Sequence, residues 1–135
     1  MDIQLTNFRQ VSDDSGSLIA IEQCNDIPFE IKRVYYIFNV GEGVRRGYHA
    51  HKKLEQYLIC IHGSCSILLD NGTEQKTFLL DNPAIGLYVG PGTWREMYDF
   101  SQGAVLLVLA SEYFDENDYI RDYDTFLNFL KEEDR

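Results

Sequence analysis

Two histidines, His49 and His51, stand one residue apart in the stretch Gly47-Tyr48-His49-Ala50-His51. In an extended strand, residues two apart project to the same face, so the two imidazoles lie side by side. Glu55 has the same parity if no bulge intervenes. Two imidazoles and a carboxylate on one face can ligate a divalent metal. They can also transfer protons, because an imidazole with an unperturbed pKa of ~6.5 takes and returns them near neutrality. On that reading, activity falls as pH drops through the histidine's pKa, in the range of about 5 to 8.

Basic residues cluster around the pair. Arg45, Arg46, Lys52 and Lys53 are four of the twelve Lys and Arg residues in the chain. Arg33, inside Ile31-Lys-Arg-Val-Tyr-Tyr-Ile-Phe38, and Arg121 near the C-terminus extend the set. Guanidinium forks match phosphate oxygens, which points to an anionic small molecule. Lys52 and Lys53 fit a solvated loop equally well. Tyr35 shares a face with Arg33, where it can stack on a base ring or simply fill core.

These residues need a scaffold, and 135 residues suffice for one domain with a real core, over 1–135. No linker, repeat or low-complexity segment divides it. Twelve basic residues against twenty-two acidic ones give a net charge of −10. That charge disfavours nucleic acid and anionic membranes as partners. No stretch has the length of a membrane span or the pattern of a signal peptide. Cys24, Cys60 and Cys65 form no disulfide framework or CxxC motif, so a cytoplasmic location with reduced thiols is expected.

Short β-branched and aromatic runs predict ten strands: Ile3–Phe8, Ser17–Glu22, Ile31–Phe38, Gly47–His51, Glu55–Ile61, Ser64–Leu69, Gln75–Leu80, Ile85–Val89, Trp94–Asp99 and Ala104–Ala110. Asp70-Asn71-Gly72 reads as a primed hairpin turn, and Gly90-Pro91-Gly92 as another reversal. Ten closely spaced strands without interleaved helices predict a sandwich or barrel. Ile120, Tyr123, Leu127 and Leu130 follow helical spacing, with Asn117 or Asp118 as the expected cap.

The spacing G-x5-H-x-H-x3-E, from Gly43 to Glu55, resembles the first motif of the cupin superfamily. The second cupin motif places a histidine ligand shortly after a proline-glycine turn, and here Arg95 stands in that place. A guanidinium has no lone pair to give a metal, so the metal reading recedes. Arg95 would instead hold a nearby histidine neutral and could stabilise an oxyanion. Its plainer use is a salt bridge to Glu55 or Glu96.

From residue 16 to 123 the chain is similar to the RmlC-like sugar 3,4-ketoisomerases that act on dTDP-4-keto-6-deoxy-D-glucose. The likeness lies in Gly16–Glu22, Ile31–Phe38, Arg46–Gln56, Gly86–Pro91 and Val108–Tyr123. The resemblance implies an all-β fold: a cupin/RmlC-like jelly-roll β-barrel with a short C-terminal α-helix, forming a homodimer. It implies an isomerase that moves the keto group from C4 to C3 through an enediol(ate), with no cofactor and no metal. Its place would be the biosynthesis of dTDP-3-amino-3,6-dideoxy sugars for an O-antigen or S-layer glycan. His49 and His51 carry the proton transfers on this resemblance, with His51 the first choice as base. Arg33, Tyr35, Arg46, Arg95 and Arg121 are the implied substrate-binding residues: Arg33, Arg46 and Arg121 for the diphosphate, Tyr35 for the nucleotide end. Some members that give galacto-configured products carry a histidine at the place of Arg95 and an arginine at that of Ser15. Arg95 therefore leans the reading toward the gluco product, although Ser15 fits neither pattern. A metal-dependent cupin enzyme, a non-catalytic nucleotide-sugar-binding module and a dTDP-sugar 3,5-epimerase are the alternatives.

Overall fold

The computed structural model describes residues 5–133. Its strands in chain order are β1 (Leu5–Asn7), β2 (Gln10–Asp13), β3 (Gly16–Ile19), β4 (Arg33–Ile37), β5 (Arg46–His51) and β6 (Gln56–His62). They continue with β7 (Cys65–Asp70), β8 (Gln75–Leu80), β9 (Ile85–Val89), β10 (Trp94–Tyr98), β11 (Val105–Ala110) and β12 (Tyr119–Ile120), followed by helix α1 (Tyr123–Glu133). Two five-stranded antiparallel sheets, ordered β1-β9-β6-β11-β4 and β12-β5-β10-β7-β8, face each other, and β2 pairs with β3 in a separate hairpin. This is the jelly-roll arrangement, and it carries the short C-terminal helix.

Apolar residues pack between the sheets and over part of each outer face. Between the sheets, Leu58, Leu87 and Leu106 of one meet Ile67, Leu69 and Met97 of the other. The outer face of the first sheet, with Tyr57, Ile59 and Leu109, lies under Phe8, Ile27 and Phe29. The outer face of the second carries Ala50 and Trp94, which pack on Ile120 and Phe126 beneath the helix. Ala50 thus points outward to the helix, while its neighbours His49 and His51 point between the sheets. Burial of these apolar surfaces, at roughly 25 cal/mol per Å², supplies the drive to fold.

Most predicted strands lie within two residues of their observed limits, and Gln75–Leu80 and Ile85–Val89 match the prediction in full. Residues 3 and 4 of the first predicted strand lie outside the described residues, and the part seen is Leu5–Asn7. Three readings need correction. The strand expected at Ser17–Glu22 is Gly16–Ile19, and its partner Gln10–Asp13 was not anticipated. The Asp70-Asn71-Gly72 reversal is a four-residue connection, because Asn71 Oδ1 accepts from the backbone of both Thr73 and Glu74. Finally, Ile120 belongs to β12, paired with Ala50, so the helix starts only at Tyr123. Its first turn is capped by Asp122, whose carboxylate accepts from Thr125 N and Oγ1 at 2.9 Å each. Asp118, the expected cap, is used elsewhere.

Candidate active site

The inward-facing positions change character along the barrel. On β4 they run Arg33, Tyr35, Ile37; on β6, Gln56, Leu58, Cys60; on β10, Arg95, Met97. One end of the space between the sheets is therefore apolar core. The other is polar, and β5 delivers the histidines there. His49 sits directly across from Arg95 in the β5–β10 ladder. The next pair is Glu96 with Gly47, so Tyr48 is the extra residue of a β-bulge. Gly47 and Tyr48 both have positive φ, +93° and +57°. A Cβ at Gly47 would lie 2.8 Å from the Arg95 carbonyl oxygen, so only glycine fits.

Hydrogen-bond partners fix where the imidazole protons are. The Gly47 carbonyl can only accept, so His49 Nδ1, 3.1 Å away, donates to it. The Asp118 carboxylate lies 3.2 Å from His51 Nδ1 and holds the proton there in the same way. Asp118 also accepts from the backbone N–H groups of Lys53 at 2.8 Å and Leu54 at 3.3 Å. Both Nε2 atoms consequently carry bare lone pairs, and neither has a partner among the described residues. The ring centres are 4.9 Å apart, and Tyr119 packs against both at 5.1 and 4.3 Å. Burial, then the Arg95 cation, lowers the pKa of His49 to about 4 and that of His51 further still. Both are neutral bases across the physiological range. Activity resting on either base is expected to persist down to about pH 4 in a pH profile of kcat/KM, below the range an unperturbed imidazole would set.

Arg95 is fully buried. Its Nη1 donates a short hydrogen bond to Gln56 Oε1, and its Nη2 donates to the Thr93 carbonyl at 2.9 Å. Among the described residues no carboxylate pairs with it. Glu55 accepts from the Tyr88 hydroxyl at 2.6 Å, and Glu96 pairs with Arg45 at 2.7 Å, so neither forms the salt bridge considered for Arg95. Desolvation lowers the guanidinium pKa only to about 10, and it stays charged at neutral pH. Glu55 also leaves the histidine face, since β5 ends at His51 and the chain turns before β6. The carboxylate needed for a metal set is therefore turned away.

Two cavities open at this end. One, of about 510 Å³, is lined by His51, Arg33, Lys53, Asp118 and Tyr119, with Glu112 and Asp115 at its wall. The other, of about 420 Å³, is lined by His49, Arg33, Tyr35, Arg46, Tyr119 and Arg121 and has no carboxylate in its wall. Five of the seven expected site residues thus meet in the second cavity, and His51 lines the first. Arg95 lines neither. It lies behind the histidines and acts on them through its charge rather than as a wall residue. Arg121 is exposed, lies 4.2 Å over the Tyr119 ring and is paired with Glu116 at 2.8 and 2.9 Å. Tyr35 is not a peripheral stacking residue, because its hydroxyl accepts from Gln56 Nε2 at 2.9 Å, deep in the barrel.

Asp118, Tyr119 and Gln56 were missed from the sequence. Asp118 and Tyr119 reach the histidines only through the β12–β5 pairing, across a separation of 67 residues for the Asp118–His51 bond, and no local pattern announces that. Gln56 did leave a signal. It is a polar residue at the inward parity of a strand whose other inward positions are Leu58 and Cys60.

A jelly roll whose polar end holds two neutral imidazoles beside an arginine-lined cavity is a cupin fold fitted for proton transfer on an anionic substrate. Residues 1–131 match the family described as FdtA: WxcM-like, C-terminal. The TDP-4-oxo-6-deoxy-alpha-D-glucose-3,4-oxoisomerase of Aneurinibacillus thermoaerophilus is 54% identical over 130 residues, which cover 96% of this chain and 94% of the relative. A histidine-to-asparagine mutant of the 3,4-ketoisomerase QdtA from Thermoanaerobacterium thermosaccharolyticum, in complex with TDP-4-keto-6-deoxyglucose, superposes with a TM-score of 0.95 at 52% identity, covering 97% of this chain and 95% of that one. The TDP-quinovose 3,4-ketoisomerase WlaRB from Campylobacter jejuni gives 0.90 at 52% identity over 94% of this chain and 98% of its own. The chain belongs to this family of sugar-nucleotide 3,4-ketoisomerases, and it is an isomerase.

The Asp118 contact predicts a tautomer switch. In Asp118→Asn the carboxamide can present its N–H₂ to His51, which moves the imidazole proton to Nε2 and removes that base. The ¹⁵N shifts of His51 should report the exchange, with kcat down about tenfold or more; unchanged ¹⁵N shifts would refute the lock. The lowered histidine pKa values also set a stability trend. Between pH ~6.5 and ~4 the unfolded chain binds protons that the native histidines refuse, so stability falls as pH falls through that window, by on the order of 3 kcal/mol for His49. Urea melts of wild type and a His49→Gln/His51→Gln variant should show a steeper loss in the wild type; parallel pH dependences would contradict it.

Proposed function

We propose that this isomerase moves the keto group of dTDP-4-keto-6-deoxy-D-glucose from C4 to C3, and that the bare Nε2 of a neutral histidine is the base. The observation that carries the reading is the pair of adjacent imidazoles, both protonated on Nδ1, one of which, His49, lines a cavity walled by Arg33, Arg46 and Arg121. A diphosphate matches three guanidinium groups. His49 lines that cavity, whereas His51 lines the neighbouring one and is tied to Asp118. The Asp118 contact fixes the tautomer of His51, the first choice on sequence, and we give it the C–H proton, with His49 beside it at 4.9 Å between ring centres. Arg46 and Arg121, with Arg33, hold the diphosphate.

The steps balance with one base and a solvent proton. His51 Nε2 takes the proton from C3, the C–H electron pair becomes the C3–C4 double bond, and the carbonyl pair moves onto O4. The O3 proton passes to O4, leaving the negative charge on O3. That charge re-forms a carbonyl at C3 as C4 takes a solvent proton on the face opposite the one that C3 lost, as the gluco configuration requires, and the imidazolium returns its proton to solvent. C3 has lost one proton, C4 has gained one and one has passed from O3 to O4, with no net redox change. Arg95 favours this course by keeping the imidazole neutral before the reaction and by placing positive charge behind the enediolate. The residues present do not fit a metal: Glu55 faces Tyr88, and a guanidinium occupies the place of the fourth ligand.

The product feeds formation of a dTDP-3-amino-3,6-dideoxy sugar, and Arg95 supports the gluco configuration at C4. Incubation with dTDP-4-keto-6-deoxyglucose in D₂O, followed by NMR, should show deuterium at C4, a 3-keto product and a large trans-diaxial H4–H5 coupling in material formed in H₂O. Absence of any 3-keto product sinks the assignment; exchange at C5 as well as C3 would move it to the epimerases.

We also propose a homodimer in the cytoplasm. Val34, Tyr36 and Phe38 project from the outer side of the edge strand β4 and are 54%, 61% and 55% exposed. An apolar row on an open edge is surface that a second copy can cover. Cys60 and Cys65 are buried thiols, in keeping with a reducing compartment. No helix among the described residues is long and apolar enough to cross a membrane. Light scattering should give twice the chain mass, and a monomer at micromolar concentration would overturn the dimer.

A further inference from the structure

We propose that Gln56 is a positioning residue that couples the buried Arg95 cation to Tyr35, so that the Tyr35 hydroxyl points its proton at the oxygens of the enediolate. The inference rests on the isomerase reading above, and goes beyond it in assigning a role to a side chain on the opposite sheet from the histidines.

The polarity of three consecutive contacts leaves one arrangement. A guanidinium only donates, so the Gln56 carbonyl oxygen must face Arg95 Nη1. The Gln56 N–H₂ must then face Tyr35, and it donates to the phenolic oxygen at 2.9 Å. With that side of the oxygen taken, Tyr35 keeps its own proton for another acceptor, and none is found among the described residues. Tyr35 lines the cavity that also holds His49. A ligand oxygen at that wall would accept from Tyr35 on one side while its carbon faces the histidine pair on the other.

The coupling has a physical cause. Gln56 is buried and its amide dipole is aligned by a full positive charge at its oxygen end. Hydrogen bonds in series polarise one another in a low-dielectric site. The effect is to make Tyr35 a stronger donor to a negative oxygen without giving it up as a proton source. Burial raises the Tyr35 pKa, so the phenol stays protonated at neutral pH and remains a donor. The other charged or titratable groups at this end of the barrel are Arg33 on β4, the neutral His49 and His51 on β5, and Asp118, Tyr119 and Arg121 from the C-terminal segment. Of these, Arg33 lies closest, its guanidinium 5.2 Å from the Tyr35 ring centre, and it adds to the stabilisation of negative charge.

Gln56→Glu reverses the polarity with little change of shape. The carboxylate accepts from Arg95 with one oxygen, and with the other it takes the Tyr35 proton that should face the cavity. The expected result is a fall in kcat of about tenfold or more with KM within about threefold, as for loss of an interaction made only in the transition state. In a Tyr35→Phe background the same change should reduce kcat by less than about threefold, because its target is gone. An equal loss in both backgrounds means that Gln56 acts only as structure, and overturns the proposal. Gln56→Asn, too short to span both partners, runs the same cycle without a new charge if the carboxylate variant fails to fold. The ¹³Cζ resonance of Tyr35 reads the contact without turnover. It should shift in Gln56→Glu toward that of a phenol donating to a carboxylate. An unmoved resonance refutes the relay even if the enzyme isomerises its substrate; a shifted resonance in a protein without isomerase activity leaves the relay standing and removes the isomerase reading.

Discussion

A single cation buried without a carboxylate organises the polar end of this barrel. Desolvating a guanidinium is opposed by several kcal/mol even after relaxation. Here the compensation comes from the Gln56 and Thr93 oxygens, which are neutral acceptors. Pairing Arg95 with an aspartate or glutamate would stabilise it more, and would cancel the field that adds to burial in keeping two imidazoles unprotonated at 4.9 Å from each other. The fold tolerates this buried charge because the rest of the barrel is conventional: an apolar core between the sheets and apolar clusters on both outer faces. Stability is concentrated away from the chemistry, where close packing can provide it.

The two sheets divide the work. The sheet carrying β5 and β10 brings the bases and the cation together by direct cross-strand pairing, a short-range arrangement with little freedom. The sheet carrying β4 and β6 brings the groups that meet the ligand and the amide that joins the two sides. The C-terminal segment then closes over the histidines with Asp118 and Tyr119. Three regions distant in the chain therefore set three separate properties: base strength, ligand contact and tautomer.

Much of this was legible in the sequence. The H-x-H spacing sufficed to place His49 and His51 on one face, because a strand has a period of two and nothing else competes. Strands β8 and β9 were read without error, since turn residues bracket both: Asn71-Gly72 before β8, Asp81-Asn82-Pro83 between them and Gly90-Pro91-Gly92 after β9. Failures came where the decisive partner is remote or the segment is polar. Gln10–Asp13 holds one apolar residue and is a strand only because β3 pairs with it. Ile120 satisfied a helical stripe and a strand equally, and pairing with Ala50 decided between them. Asp118 looked like a helix cap for the same reason. Glu55 kept the right parity on paper, and lost it because the chain turns between β5 and β6. Gln56 was in plain view, as a polar side chain among inward-facing apolar ones, and could have been asked what it bonds.

The bulge at Tyr48 divides β5 into two parts that answer to different constraints. Beyond it, His49 and His51 are locked in register with Arg95; before it, Arg46 and the preceding loop follow a register one residue out of step. A residue gained or lost in the loop ahead of the strand can be taken up at this joint without turning the imidazoles to the wrong face. The spacing of Arg46 and its loop can thus vary while His49 and His51 keep their register with Arg95, so that the two parts of the strand can diverge at separate rates.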